Sequence, residues 1–153
     1  MMKKLLTAAV FASMMAGTAL ADTTLKLVEV ITSPERTETL KSIVAKFEAA
    51  NPGTKVEIIS LPWGEAFQKF ATMVSAGEVP DVIEMPDTWL SLYANNGMLE
   101  SLEPYLAKWE HTDGLTSRAL ELGRDVKDTG YMLPYGFYLR AMFYNKKLLS
   151  EAG

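Results

Sequence analysis

The chain has 153 residues, with 15 basic against 19 acidic side chains, one histidine and no cysteine, for a formal net charge of −4. An acidic balance gives no electrostatic footing for nucleic acid or for an anionic membrane surface. The absence of thiols excludes disulfides, lipoprotein acylation, cysteine nucleophiles and cysteine metal sites.

The first 21 residues do not read as fold. Lys3 and Lys4 precede the apolar stretch Leu5 to Met15, Gly17 breaks it, and Ala19-Leu20-Ala21 offers small residues for cleavage before Asp22. That order is a secretory leader. The stretch is shorter than the roughly 20 apolar residues of a membrane span, and nothing later repeats it. Export is expected, with residues 1–21 removed and no direct membrane insertion afterwards. The remaining 132 residues carry 13 basic and 19 acidic side chains, a balance of −6.

Beyond the leader, short β-rich runs alternate with helical periodicity, the pattern of a parallel or mixed sheet covered by helices. A first strand is expected over Thr24 to Ile31. Ser33-Pro34 then supplies an N-cap and a first helical residue, and Leu40, Ile43, Val44 and Phe47 give the following helix an apolar face. Asn51-Pro52-Gly53 ends it. The plan repeats with a strand at Lys55 to Ser60, a loop at Leu61-Pro62-Trp63-Gly64, and a helix carrying Phe67, Phe70, Ala71 and Val74 that Gly77 closes. A third strand, Asp81 to Met85, leads through Pro86 to Asp87. That aspartate is placed to cap a helix bearing Leu90, Tyr93 and Ala94, which Asn96-Gly97 stops.

Order weakens after Gly97. Leu99, Leu102, Pro104 and Tyr105 suggest irregular chain, and a further helix is expected from Asp113-Gly114 to Gly123. Val126-Lys127 and Tyr131 to Leu133 flank Asp128-Thr129-Gly130, which reads as a hairpin turn with the glycine at positive φ.

The final stretch, Gly130-Tyr131-Met132-Leu133-Pro134-Tyr135-Gly136 followed by Phe143-Tyr144-Asn145-Lys146, resembles the hinge entry of family 1 extracellular solute-binding proteins. Three earlier pieces resemble the same family in the same order: Ile43 to Glu48 with Asn51-Pro52-Gly53, Gly77-Glu78-Val79-Pro80-Asp81-Val82, and Tyr93 to Leu99. The resemblance implies an α/β, periplasmic-binding-protein-like (type II) fold, holding most of one lobe plus the first strand of the second. It divides the chain into a signal peptide (1–21), an N-terminal lobe (22–138) and a hinge crossing that starts a truncated second lobe (139–153). The chain then looks like an incomplete copy, whose Leu139, Ala141, Phe143 and Leu148 lack a second core and favour self-association. The implied role is reversible capture, in the periplasm, of a sugar or other small polar solute for the membrane permease of an ATP-binding-cassette importer. No cofactor and no metal is implied.

In an open α/β sheet the ligand lies beyond the carboxyl ends of the strands. The loops at Thr32 to Arg36, Leu61 to Gly64 and Met85 to Trp89 therefore offer one wall of a cleft, and two of them open helices whose N–H groups can receive hydroxyls or an anion. Trp63 is a candidate for stacking on the apolar face of a sugar and Asp87 for accepting its hydroxyls, although Asp87 also suits a plain capping role. Tyr135, Gly136, Tyr138 and Arg140 are candidates because the crossing between lobes would pass beneath the ligand. Glu35 and Arg36 are read as solvating a helix end, with Arg36 kept as a contact for an anionic solute. Trp89 and Trp109 are read as packing residues, and Tyr144 and Asn145 as strand packing and a turn.

Two other classes compete. A secreted α/β hydrolase could use Asp81, Glu84 and Asp87 as general acids and bases, but an alternating strand does not converge them on one atom. The lone His111 makes no histidine-rich zinc site, and neither G-x-S-x-G nor a phosphate-binding glycine-rich loop ending in Lys-Ser/Thr occurs. No catalytic residue is assigned. A protein-interaction module is the third class, resting on exposed apolar surface.

Overall fold

The computed structural model describes residues 23–136, 138 and 140–153. The leader and its cleavage site lie outside the described residues, as do Phe137 and Leu139. The chain divides into two compact units, one ending at Glu84 and the other running from Met85 to Gly153.

The first unit is a three-stranded parallel sheet with two helices. Strand β1 (Thr23–Glu29) leads into helix α1 (Pro34–Ala50), β2 (Thr54–Ser60) into α2 (Trp63–Ser75), and β3 (Val82–Ile83) closes the series. The order across the sheet is β2-β1-β3, so β1 is central and both connections are helical crossovers. Register runs from Thr23 opposite Thr54 to Glu29 opposite Ser60, and Leu27 and Val28 pair with Val82 and Ile83. A central strand covered by helices needs apolar side chains on its covered length. Val28 and Val30 are accordingly solvent-free, and Leu61, Ala66 and Phe70 are buried within the same unit.

Local chemistry fixes each helix end. The Ser33 hydroxyl accepts the Arg36 N–H at 3.3 Å and Pro34 takes the first helical position, as expected. Gly53 leaves the far end of α1 at φ 87°, a conformation open to glycine at little cost. There the Glu48 carboxylate accepts the Val56 N–H at 2.9 Å and pairs with Lys55 at 3.1 Å, which ties the helix to β2.

The apolar stripe of α1 is only partly used. Leu40 and Val44 are half-buried, while Ile43 and Phe47 are 57% and 43% exposed, so no α1 residue is fully buried. In α2 the covered face is shifted from expectation. Ala66 and Phe70 are buried and Met73 and Val74 half-buried, whereas Phe67 and Ala71 face outward. The helix itself starts at Trp63, within the stretch expected as loop. The third strand is likewise shorter than the expected Asp81 to Met85.

The second unit contains α3 (Asp87–Asn95), α4 (Glu103–Leu106), a 3-10 turn (Thr112–Gly114), α5 (Ser117–Leu122) and α6 (Lys146–Ala152). Leu90, Tyr93 and Ala94 are buried on α3, as their spacing predicts, and Asn96-Gly97 ends that helix with Gly97 at φ 66°. Trp89 packs edge-on against Tyr93 with ring centroids 6.2 Å apart, and burial raises the Tyr93 phenol above its ordinary value. The helix expected from Asp113 begins instead at Ser117, capped by Thr116.

The turn at 125–130 forms, but Asp128, not Gly130, carries the positive φ of 63°. Asp128 can do so because Arg124 donates to both its carbonyl and its carboxylate, at 2.6 Å each for the shortest contacts. Gly130 is instead closely approached by a side chain. The Glu103 carboxylate accepts its N–H at 2.8 Å, and an added Cβ would meet that carboxylate at 3.1 Å. The same Glu103 oxygen pairs with Arg124 at 2.7 Å, so these charges hold an acidic loop to α4.

The strand expected at the start of a second lobe is not formed over described residues 140–145. Asn145, expected in a turn, caps α6 by accepting the Lys147 and Leu148 N–H groups at 3.0 and 3.2 Å. Phe143 is 94% exposed.

Two outcomes follow from these contacts. A Cβ at Gly123 would land on the Met132 carbonyl, whereas one at Gly136 meets nothing within 4 Å. Gly123→Ala should therefore cost about 1–3 kcal/mol in thermal or denaturant unfolding and Gly136→Ala almost nothing. The Val56 N–H, and after it Lys55, holds Glu48 below its ordinary pKa of 4.5. A depressed folded-state value contributes stability above the unfolded pKa, and that stability is lost as pH falls through the folded one. The melting difference between wild type and Glu48→Gln should be present at neutral pH and shrink once pH drops below 4.5.

Candidate functional site

Because all three strands run parallel, their carboxyl ends share one edge. That edge holds a polar cluster against a core whose other buried residues are apolar. Glu29 ends β1 with 2% exposure, which for a carboxylate requires hydrogen-bond donors around it. Its two oxygens accept the Thr37 hydroxyl at 3.0 Å each, and one also accepts the Ser60 hydroxyl at 2.9 Å. Ser60 is its register partner on β2, and Thr37 stands one turn into α1. The carboxylate thus joins the end of β1 to the end of β2 and the start of α1.

Glu84 makes the second junction. Its backbone N–H continues the ladder to the Val28 carbonyl at 2.8 Å. One carboxylate oxygen then accepts the Val30 and Ile31 N–H groups at 3.0 and 3.2 Å, and the other pairs with the Arg36 guanidinium at 2.9 Å. Arg36 also donates from Nε to the Ile31 carbonyl at 3.0 Å. A cation in the first turn of a helix opposes the helix dipole, and the adjacent carboxylate offsets that conflict. Arg36, read from sequence as a solvated residue or an anion contact, is therefore an internal bridge between α1, the β1–α1 loop and the end of β3.

Neither glutamate was singled out for binding by sequence reasoning. Glu84 was weighed only as a hydrolase acid and placed inside a strand, but β3 stops at Ile83 and frees its side chain to turn toward the β1–α1 loop. The signal for Glu29 was present as one acid within Leu27-Val28-Glu29-Val30, and its meaning needed the register with Ser60.

Trp63 opens α2 beside the β2 end and is 52% exposed, as a stacking residue would be. In the second unit Asp87 is the first residue of α3, and Pro86, not Asp87, occupies the cap position. Its carboxylate is exposed and accepts the Thr88 N–H at 3.0 Å. Tyr135, Gly136, Tyr138 and Arg140 lie in exposed, irregular chain. Trp109 packs edge-on against His111 at 6.0 Å. Among the described residues no group of three or more acids, histidines or cysteines could hold a metal. No helix among them is long and apolar enough to cross a membrane.

A small parallel sheet with helices opening at its carboxyl edge places the chain in the open-sheet α/β class. The chain belongs to the bacterial extracellular solute-binding protein family, whose profile matches residues 33–153. It is 36% identical over 110 residues to a Brucella abortus binding protein, covering 70% of this chain and 26% of that one. It is 28% identical over 121 residues to the maltotriose-binding protein of Pyrococcus abyssi, covering 77% and 25%. Among solved structures it superposes on the sugar-binding protein MalE of Xanthomonas citri with a TM-score of 0.63 at 28% identity, covering 71% of this chain and 27% of that one. The maltotriose-bound protein of Thermus thermophilus gives 0.59 at 28% identity, covering 70% and 28%. The fold is that of the type II periplasmic binding proteins. The chain spans about a quarter of the length of these relatives.

Proposed function

We propose that this chain contributes one wall of the solute site of an extracytoplasmic receptor, which binds a sugar or related small polar solute reversibly and passes it to the permease of an ATP-binding-cassette importer. The observation that carries the reading is the half-exposed Trp63 indole at the carboxyl edge of the sheet, beside hydroxyls and helix N-termini. An aromatic face complements the C–H face of a sugar, and nearby donors and acceptors suit its hydroxyls. Sugar binding in the maltotriose receptors of Pyrococcus abyssi and Thermus thermophilus supports the same solute class. The proposed role is capture and release, with Asp87 as a hydroxyl acceptor and Tyr135, Gly136, Tyr138 and Arg140 as contacts from the hinge stretch.

Calorimetric titration of the protein purified from its native host with maltotriose and other neutral sugars tests this reading. Asp87→Ala should lose about 1.5–3 kcal/mol, roughly 10- to 100-fold in affinity. Trp63→Ala should weaken binding as well, with the melting temperature little changed in both. Unaltered affinity in both variants would remove these residues from the site.

We further propose that the family's extracellular setting takes the form of periplasmic export by cleavage after Ala21. Edman sequencing of exported protein should begin at Asp22, and an intact Met1 terminus in a cytoplasmic fraction would refute it.

A further inference from the structure

The Glu84 carboxylate occupies a place built for an anion. Two consecutive backbone N–H groups, Val30 and Ile31, point at one of its oxygens, and the Arg36 guanidinium at the other. Converging main-chain donors beside a guanidinium, at the start of a 17-residue helix, are what proteins use to hold phosphate or carboxylate groups. Here the occupant is the protein's own side chain, 9% exposed, brought in from the end of a neighbouring strand. Glu29 adds a second acid to the same sheet edge, and among the described residues no ion pair reaches it. Two carboxylates against one guanidinium leave these side chains with an excess of acid over base.

We propose that Glu84 is a specificity-determining residue, an internal anion that fills this hole so that the adjoining site accepts uncharged polar solutes and rejects phosphorylated or carboxylated ones. The exclusion of anionic solutes rests on the binding role proposed above, whereas the filled hole stands on geometry alone. Desolvating an anionic solute beside two carboxylates is opposed by like-charge repulsion, and the donors that could offset it are already engaged. Glu84 need not touch the solute to act this way.

The test uses the full chain and two small probes, inorganic phosphate and acetate, with ionic strength held constant by sodium chloride. Glu84→Ala leaves the three donors facing a vacated space. Its melting temperature should fall below wild type and recover saturably with acetate, while wild type shows no saturable shift. Glu84→Gln removes the charge but keeps the shape, and serves if the alanine variant does not fold. It should bind phosphate about tenfold or more tightly than wild type by titration, and adding Arg36→Gln should abolish the gain. The proposal is overturned if phosphate binds wild type and Glu84→Gln alike or binds neither. It is equally overturned if a folded Glu84→Ala protein gains nothing from acetate. Failure of the wild-type protein to bind maltotriose would count against the receptor reading and leave the phosphate result unaffected.

Discussion

The parallel pairing of β1 with both of its neighbours is the constraint on which the first unit depends. A strand paired on each side in the same direction brings three carboxyl ends to one edge, and helical crossovers bring two helix N-termini to that edge as well. Each of those ends presents N–H groups that the helix itself cannot satisfy. Polar residues must gather there for the unit to fold, whatever the chain later binds. Glu29, Thr37 and Ser60 answer one part of that demand and Glu84 with Arg36 another. The polar cluster at this edge is thus what the fold itself requires.

The two glutamates differ in what surrounds them. Glu29 is held by hydroxyls, which are neutral donors. Glu84 meets main-chain N–H groups and a guanidinium, so its charge is matched locally. Burying a carboxylate without a counter-ion is costly, and removing one member of such a cluster costs more than its net contribution. Conservative amide replacements are therefore more informative at this edge than deletions, because they separate charge from packing.

Much of the architecture was legible in the amino-acid order. Ser33-Pro34 marked the start of α1 to the residue, Asn51-Pro52-Gly53 its end, and the Leu90, Tyr93, Ala94 spacing the buried face of α3. These features are local, decided by backbone sterics and by periodicity within one element. What escaped depends on partners distant in sequence. Glu84 lies 48 positions from Arg36, and Glu29 lies 31 from Ser60, so neither contact has a local signature. The positive φ at Asp128 escaped for a related reason, since glycine is the default for that conformation and only the bonds from Arg124 show why aspartate serves. Among the binding candidates, Trp63 is half-exposed, while Arg36 proved to be engaged within the fold.

Helix α1 is attached to its sheet in an unusual distribution. Its apolar stripe contributes no fully buried residue, yet polar contacts fasten both ends: Thr37 and Arg36 near the start, Glu48 near the finish. An isolated helix frays from its termini because the outermost turns have the fewest bonds to lose. Here those turns are the ones anchored to strands. Local opening of α1 must then release a strand-end contact, which makes the helix and the sheet edge a single cooperative segment. Any motion that changes the tilt of α1 would be felt directly at the carboxyl edge, so the helix can act as a lever on the geometry of that edge.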